Sequence, residues 1–139
     1  MGERTFKMKR KYWLTLPFLS LLCSCTYSSY LMLTGTKKIT NKEISASYTK
    51  MDGYFGKTFK VKEDYGYHFT FTSTSNEDNQ GSLSLKVFLN KVEKNHYEGE
   101  TLASFDFSLT EVGKWDVRII GKNHSGSFSL TWEKVALSN

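Results

Sequence analysis

The sequence predicts an all-β domain, an antiparallel β-sandwich or jelly roll of about seven strands, preceded by a signal peptide and a short tether. Three observations predict it. From Ile44 onward, apolar residues recur at every second position in run after run. Glycine- and asparagine-rich turn signals separate the runs, and no segment shows a helical period. Successive side chains of a strand face opposite sides, so period-two runs bury one face and wet the other. That is the antiparallel pattern, since a buried parallel strand is apolar on both faces.

The runs follow in order. "ISASYTK" (44–50) alternates weakly, and "YFGKTFKVK" (54–62) sets Phe55, Phe59 and Val61 between lysines. "YHFTFTSTS" (67–75) puts Tyr67, Phe69 and Phe71 on one face and His68, Thr70 and Thr72 on the other. "SLSLKVFLN" (82–90) turns Leu83, Leu85, Val87 and Leu89 inward and Ser82, Ser84 and Lys86 outward. "SFDFSLTE" (104–111) repeats the plan with Phe105, Phe107 and Leu109. "KWDVRII" (114–120) offers Trp115, Val117 and Ile119 against Asp116 and Arg118; "SFSLTWE" (127–133) offers Phe128, Leu130 and Trp132 against Ser127, Ser129 and Thr131. "NEDNQG" (76–81) reads as a loop, "VGK" (112–114) as a short hairpin connection with Gly113 at positive φ, and "GKNHSG" (121–126) as a second connection. The single proline, Pro17, precedes all of these runs.

What precedes the domain reads as an address. Arg4, Lys7, Lys9, Arg10 and Lys11 come before an apolar run from Tyr12 to Leu22. That run is short of the roughly 20 residues that span a bilayer and suits the core of an export signal. Met8 is a second start from which the signal is complete. "LCSC" (22–25) then sets Leu22, a small residue, Ser24 and Cys25 in series. This resembles the lipobox of bacterial lipoproteins. The resemblance implies cleavage between Ser24 and Cys25 and a lipid on the Cys25 thiol, giving a signal over 1–24, a lipidated tether over 25–43 and a domain over 44–139. Within the tether, Tyr30–Leu33 is expected either to dock as a first short strand or to lie near the lipid. A Cys23–Cys25 bridge across one residue is strained, and no other cysteine exists.

Charge follows the same division. The formal net charge is +5, but from Cys25 onward there are 14 basic and 13 acidic residues. A nearly neutral domain cannot neutralise a row of phosphates, so nucleic acid is not an expected partner.

The segment from "GSLSLKVFLN" to "SFSLTWE" (81–133) resembles the closing half of small extracellular β-sandwiches of the GOLD or bacterial pre-peptidase C-terminal kind. That resemblance implies the fold and no catalytic residue, because function lies in sites rather than folds.

Chemistry is sparse. His68, His96 and His124 form no close metal pair and read as solvated, the last two in loops. "NHSGS" (123–127) puts His and Ser side by side, which is not the geometry of a triad, and no catalytic residue or cofactor is expected. Asn76, Glu77, Asp78 and Asn79 offer the hard oxygens that calcium takes, yet the same residues favour turns. Trp115 and Trp132 share the core phase. Tyr48, Tyr54, Tyr65 and Tyr97 are the candidates for exposure; core or edge packing is their first reading, with Tyr54, Tyr65 and Tyr97 as a ring-stacking ligand surface the competing one. The serines and threonines of the wet faces read first as ordinary wet sheet surface, with a flat polar platform for a glycan or protein as the second reading. The function these features predict is a non-catalytic binding or accessory module for a protein or glycan, held outside the cytoplasm by lipid on Cys25. The alternative is a structural or assembly component of a cell-envelope complex; a small hydrolase fits least.

Overall fold

Two strands are too long for one layer of a small domain. The computed structural model describes residues 26–98 and 103–137. Its elements are β1 (Thr26–Ile39), β2 (Glu43–Val61), β3 (Tyr65–Ser75), β4 (Ser82–Leu89), β5 (Val92–Glu98), β6 (Ser104–Leu109) and β7 (Gly113–Ala136). All ladders are antiparallel. Laid straight, the 24 residues of β7 would reach about 80 Å. Instead β1, β2 and β7 bend and pass from one layer to the other. The expected cleavage and lipidation residues, Ser24 and Cys25, lie outside the described residues, as does the expected signal over 1–24.

The first layer runs β5–β4–β7–β2–β1, using the first half of β7, the second half of β2 and the first half of β1. The second layer runs β6–β3–β7–β2–β1, using the other halves. Strands that switch sheets make the corners of such sandwiches. Aromatic contacts close the space between the layers. Phe59 meets Phe69 at 4.9 Å and Trp132 at 5.3 Å, Phe55 meets Phe128 at 5.5 Å, and Tyr97 meets Phe105 at 4.6 Å between ring centroids. Trp115 and Trp132 are both buried, as their phase predicted.

At the corner the inward phase changes. β7 buries Trp115, Val117 and Ile119 before it, and Phe128, Leu130 and Trp132 after it. β2 buries Ile44, Ala46 and Tyr48, then Met51, Phe55, Phe59 and Val61. Each crossing strand carries a residue of positive φ there: Thr34 at 43°, Gly53 at 129° and Asn123 at 55°. In β7 the change falls across Asn123; in β2 it falls between Tyr48 and Met51, where the register with β7 shifts.

Several expectations change. Thr26–Ile39, expected within a tether, forms β1, paired along β2 from Thr26–Lys57 to Ile39–Ile44. Small polar residues on an edge strand have the composition of a linker, because only one side of the strand is buried. The two runs of 44–62 are one strand, and "GKNHSG" is the bend inside β7 rather than a connection. "VGK" does form a turn with Gly113 at positive φ, but it carries the chain from β6 in the second layer to β7 in the first, not through a hairpin. β5, "VEKNHYE", is unforeseen because only Tyr97 reaches inward from it.

Candidate functional site

The outer face of the first layer gathers rings and charge where the pattern predicts only wet side chains. Register across the layer sets Tyr27 beside Gly56, Gly56 beside Arg118, and Arg118 beside Lys86. Phe88 lies beside Asp116, and Tyr54 beside Ile120. Gly56 is what lets this cluster form. A Cβ there would fall 2.4 Å from Tyr27 Cζ, so its absence leaves room for the phenol ring to lie across the sheet. The Tyr27 hydroxyl then donates to Asp116 Oδ1, and Arg118 Nε donates to the same hydroxyl at 3.2 Å.

Arg118 is the centre. Its guanidinium carbon sits 5.4 Å from the Tyr27 ring, 5.4 Å from the Tyr54 ring and 5.2 Å from the Phe88 ring. Tyr27 and Tyr54 meet edge to face at 6.0 Å. Each cation–ring contact contributes on the order of 0.5–1 kcal/mol and, more usefully, fixes the geometry of the rings. Burial and the hydrogen bond to Asp116 push the Tyr27 phenol up to about 12, so it remains a proton donor. Burial alone would lower Arg118; the bond to Tyr27 and the nearby Asp116 outweigh it and raise it. All five residues are half-buried, so ring surface and polar atoms remain open to solvent.

A recess of ≈ 300 Å³ adjoins this cluster, lined by Thr58, Asn90, Lys91, Lys114 and Asp116. It lies at the two-residue turn from β4 to β5, where Asn90 has φ 49° and Lys91 φ 72°. Hairpins of this type favour glycine at the second position, and a lysine there costs about 1 kcal/mol of backbone strain. Asn90 ties the turn to β7: its Oδ1 accepts from Lys114 N at 3.1 Å and its N–H donates to Lys114 O at 2.8 Å.

The outer face of the second layer is different. There Ser45 and Ser47 of β2, Ser127, Ser129 and Thr131 of β7, and Thr70 and Thr72 of β3 stand in register, with Ser108 beyond them. It carries mostly hydroxyls, with His68, Asp106 and Glu133 towards one end. Of the expected platform residues, Ser82 and Ser84 belong to the first layer instead.

The expected stacking tyrosines do not form one surface. Tyr54 is in the cluster just described. Tyr65 lies at one end of the second layer with Lys134 Nζ 3.7 Å from its ring, and Tyr97 packs between the layers on Phe105 and Phe107. Tyr48 is buried, with its hydroxyl 2.7 Å from His124 Nδ1. His124, read as solvated, is 1% exposed and also meets Ser75 Oγ at 3.0 Å. His68 lies 3.0 Å from Ser108 Oγ and 3.6 Å from Asp106; His96 is on β5, 3.4 Å from Glu98. In the loop expected to offer calcium oxygens, Asn76 Nδ2 donates to Ser125 Oγ at 2.8 Å and Asn79 Oδ1 accepts from Ser125 N at 2.9 Å. These amides pin the loop to the bend of β7. Among the described residues, no group of three or more His, Cys, Asp and Glu converges on a metal-sized point.

Sequence reasoning missed Tyr27 because it lay in the expected tether. Phe88 carried a readable signal: a large apolar ring in the outward phase of a strand whose inward phase was already filled by Leu83, Leu85, Val87 and Leu89. Lys57 went unread in the opposite sense. It shares the inward phase of Phe55 and Phe59, is buried, and holds its ammonium 5.7 Å from the Phe59 and Trp132 rings.

No protein-family model and no curated protein matches the chain. Among solved structures, similarity is found to the enzymatically active domain of tailspike protein 4 of bacteriophage CBA120, at 11% identity and a TM-score of 0.45, over 81% of this chain and 19% of that one. A family two carbohydrate esterase from Clostridium thermocellum matches at 7% identity and a TM-score of 0.42, over 79% and 33%. A carbohydrate-binding module described for specific mannan recognition matches at 9% identity and a TM-score of 0.43, over 82% and 89%. The chain thus spans about a fifth of the tailspike domain and a third of the esterase. Likeness at this level does not extend to any binding residue.

Proposed function

We propose that this protein is a non-catalytic binding module that takes a glycan on the outer face of the first layer, and that it works outside the cytoplasm, anchored by lipid on Cys25. The observation that carries the glycan reading is the set of rings Tyr27, Tyr54 and Phe88 held around Arg118 on an open sheet face. A sugar ring has one apolar face and a rim of hydroxyls. Half-exposed aromatic rings suit the face, while a guanidinium, a carboxylate and a phenol within one cluster suit the rim. The outer face of the second layer carries mostly hydroxyls and has no cluster of rings like the one around Arg118. The anchoring half of the proposal rests on the basic segment, the short apolar run and "LCSC" of the leader.

Affinity electrophoresis of the full chain in detergent, against a panel of soluble polysaccharides, tests the binding. Tyr54→Ala is expected to lose about tenfold or more in affinity, as truncated aromatic anchors do. Gly56→Ala is the sharper variant. Its methyl group displaces the Tyr27 ring, a flexible neighbour, so affinity falls while the melting temperature drops by only a few degrees, through the lost Tyr27 contacts with Asp116 and Arg118. Unchanged retention of both variants by a polymer that binds the wild type removes this face from the proposal. For the anchor, Cys25→Ser is expected to abolish incorporation of labelled palmitate; labelling that persists excludes it.

The assembly reading has one observation in its favour. On the edge strand β1, Leu31 and Leu33 are 66% and 49% exposed. A partner that co-purifies stoichiometrically with wild type, and not with a Leu31→Lys, Leu33→Lys variant, would favour it.

A further inference from the structure

We infer that the recess beside Tyr27 takes an anionic substituent, so that the glycan bound on this face is an acidic one. The inference rests on the glycan reading of the face and adds the class of sugar. Three observations carry it.

The first is position. Asp116 lines the recess and also belongs to the aromatic cluster, so a chain lying on Tyr27 and Tyr54 extends directly over the recess. Lys114 lies two residues before Asp116 on the same face of β7.

The second is charge. Lys91 and Lys114 line the recess, and Lys60 stands directly opposite Lys114 in the β2–β7 ladder. Like charges directly opposite across a ladder repel. Among the described residues, no carboxylate lies within ion-pair distance of any of the three lysines. The one carboxylate of the recess, Asp116, is already engaged by the Tyr27 hydroxyl and lies 4.0 Å from Arg118 Nη2. An incoming anion would relieve the repulsion, with Thr58 and Asn90 beside it as neutral hydrogen-bonding partners.

The third is backbone. Lys91 occupies, at φ 72°, the turn position that favours glycine, and Asn90 holds that turn against Lys114. Strain of this kind persists where the surroundings over-determine it, and it gathers at ligand sites. Here its effect is to fix a cation at the mouth of the recess.

Matched polymers that differ in charge test the inference on the full chain in detergent: polygalacturonate against its methyl ester, carboxymethylcellulose against hydroxyethylcellulose, and dextran sulfate against dextran. The acidic member of at least one pair is expected to bind about tenfold tighter at low salt, with the preference fading as salt screens it. Preference in the first two pairs assigns a carboxylate, and preference in the third alone a sulfate. Lys91→Gly combined with Lys114→Gln is expected to bring both members of the pair to equal retention. Lys91→Gly alone is expected to weaken the preference while raising the melting temperature by a few degrees, because it removes cation and strain together. Equal retention of the paired polymers by wild type overturns the acidic class, and a preference that survives the double variant overturns the recess as its site; either leaves the glycan face standing. If none of the six polymers is retained, the glycan reading fails and the inference fails with it. If the lysine variants change binding only to phosphatidylglycerol vesicles, the recess is a lipid headgroup site and the inference is wrong.

Discussion

His124 shows how much one residue depends on its place in a bend. Its Nδ1 lies 2.7 Å from Tyr48 Oη and its Nε2 3.0 Å from Ser75 Oγ, both hydroxyls that adapt to either tautomer of a neutral ring. Burial lowers its pKa, because a charged imidazolium would be cut off from water. The unfolded chain therefore binds a proton more readily than the folded one. Stability from this group is complete above the unfolded value of about 6.5 and declines as pH falls from there through the lowered folded value. His124→Gln is expected to unfold more easily at pH 8, by roughly 1–3 kcal/mol, because the replacement leaves a buried hydroxyl poorly partnered. It is also expected to flatten the loss of stability between pH 6.5 and 5. Urea midpoints of the two proteins across that range decide it; parallel curves would clear His124 of the acid dependence. None of this was legible in "GKNHSG". The string has the composition of a solvated turn, and only the partners brought by β2 and β3 bury the ring.

At the scale of the element, the bend of β7 depends on backbones that approach too closely for a side chain. A Cβ on Gly126, at φ 150°, would lie 2.0 Å from Thr74 O, and one on Gly53, at φ 129°, 2.2 Å from Ser29 O. These neighbours are backbone atoms of paired strands and cannot give way as the Tyr27 ring can at Gly56. Gly126→Ala and Gly53→Ala are thus each expected to lose about 3 kcal/mol or more, read as a fall in the urea midpoint. Gly56→Ala, chemically the same change, is expected to lose less, about 1 kcal/mol, because only the Tyr27 side chain and its contacts with Asp116 and Arg118 must give way. Equal losses at all three sites would show that the difference between a backbone neighbour and a side-chain neighbour does not set the cost. The contrast also explains what the sequence makes visible. Period two identifies β3, β4, β6 and both halves of β7, because each buries a row such as Leu83, Leu85, Val87 and Leu89. It does not reveal that two runs are one strand, since Gly53 and Gly126 read as breaks. It reveals β1 only as one of two readings of Tyr30–Leu33, and β5 not at all, because their inward rows are short: Tyr30 and Met32 in one, Tyr97 in the other. The candidate face was half legible. Tyr54 stood out by its type, but Tyr27, Arg118 and Asp116 meet only through the β1–β2–β7 register.

For the whole molecule, the order of assembly follows from β7. It pairs with β2, β3 and β4, so it lies inside both layers, and it is the last element along the described chain. Before it is available, the first layer has β4 and β5 on one side and β1 and β2 on the other with nothing between them. The second layer likewise has β3 and β6 separated from β2. Hairpins of that size are marginal alone in water. The core rings would have no closed space either, since Phe59 is covered by Trp132 of β7 and Phe55 by Phe128. Folding should therefore be all-or-none and governed by contacts distant in sequence, which places refolding in the millisecond-to-second range. Ending the chain after Lys122 keeps the ladder of β7 with β4 and the second half of β2 but removes the centre of the second layer. If the layers were independently stable, that variant would retain the first one, with protected amides in β4 and β2. The shared strands argue otherwise: hydrogen exchange of the shortened chain is expected to show no protected amide in either layer. Protection confined to β4 and β2 would mean that the first layer stands by itself, and that the bend at His124 joins two folding units rather than lying within one.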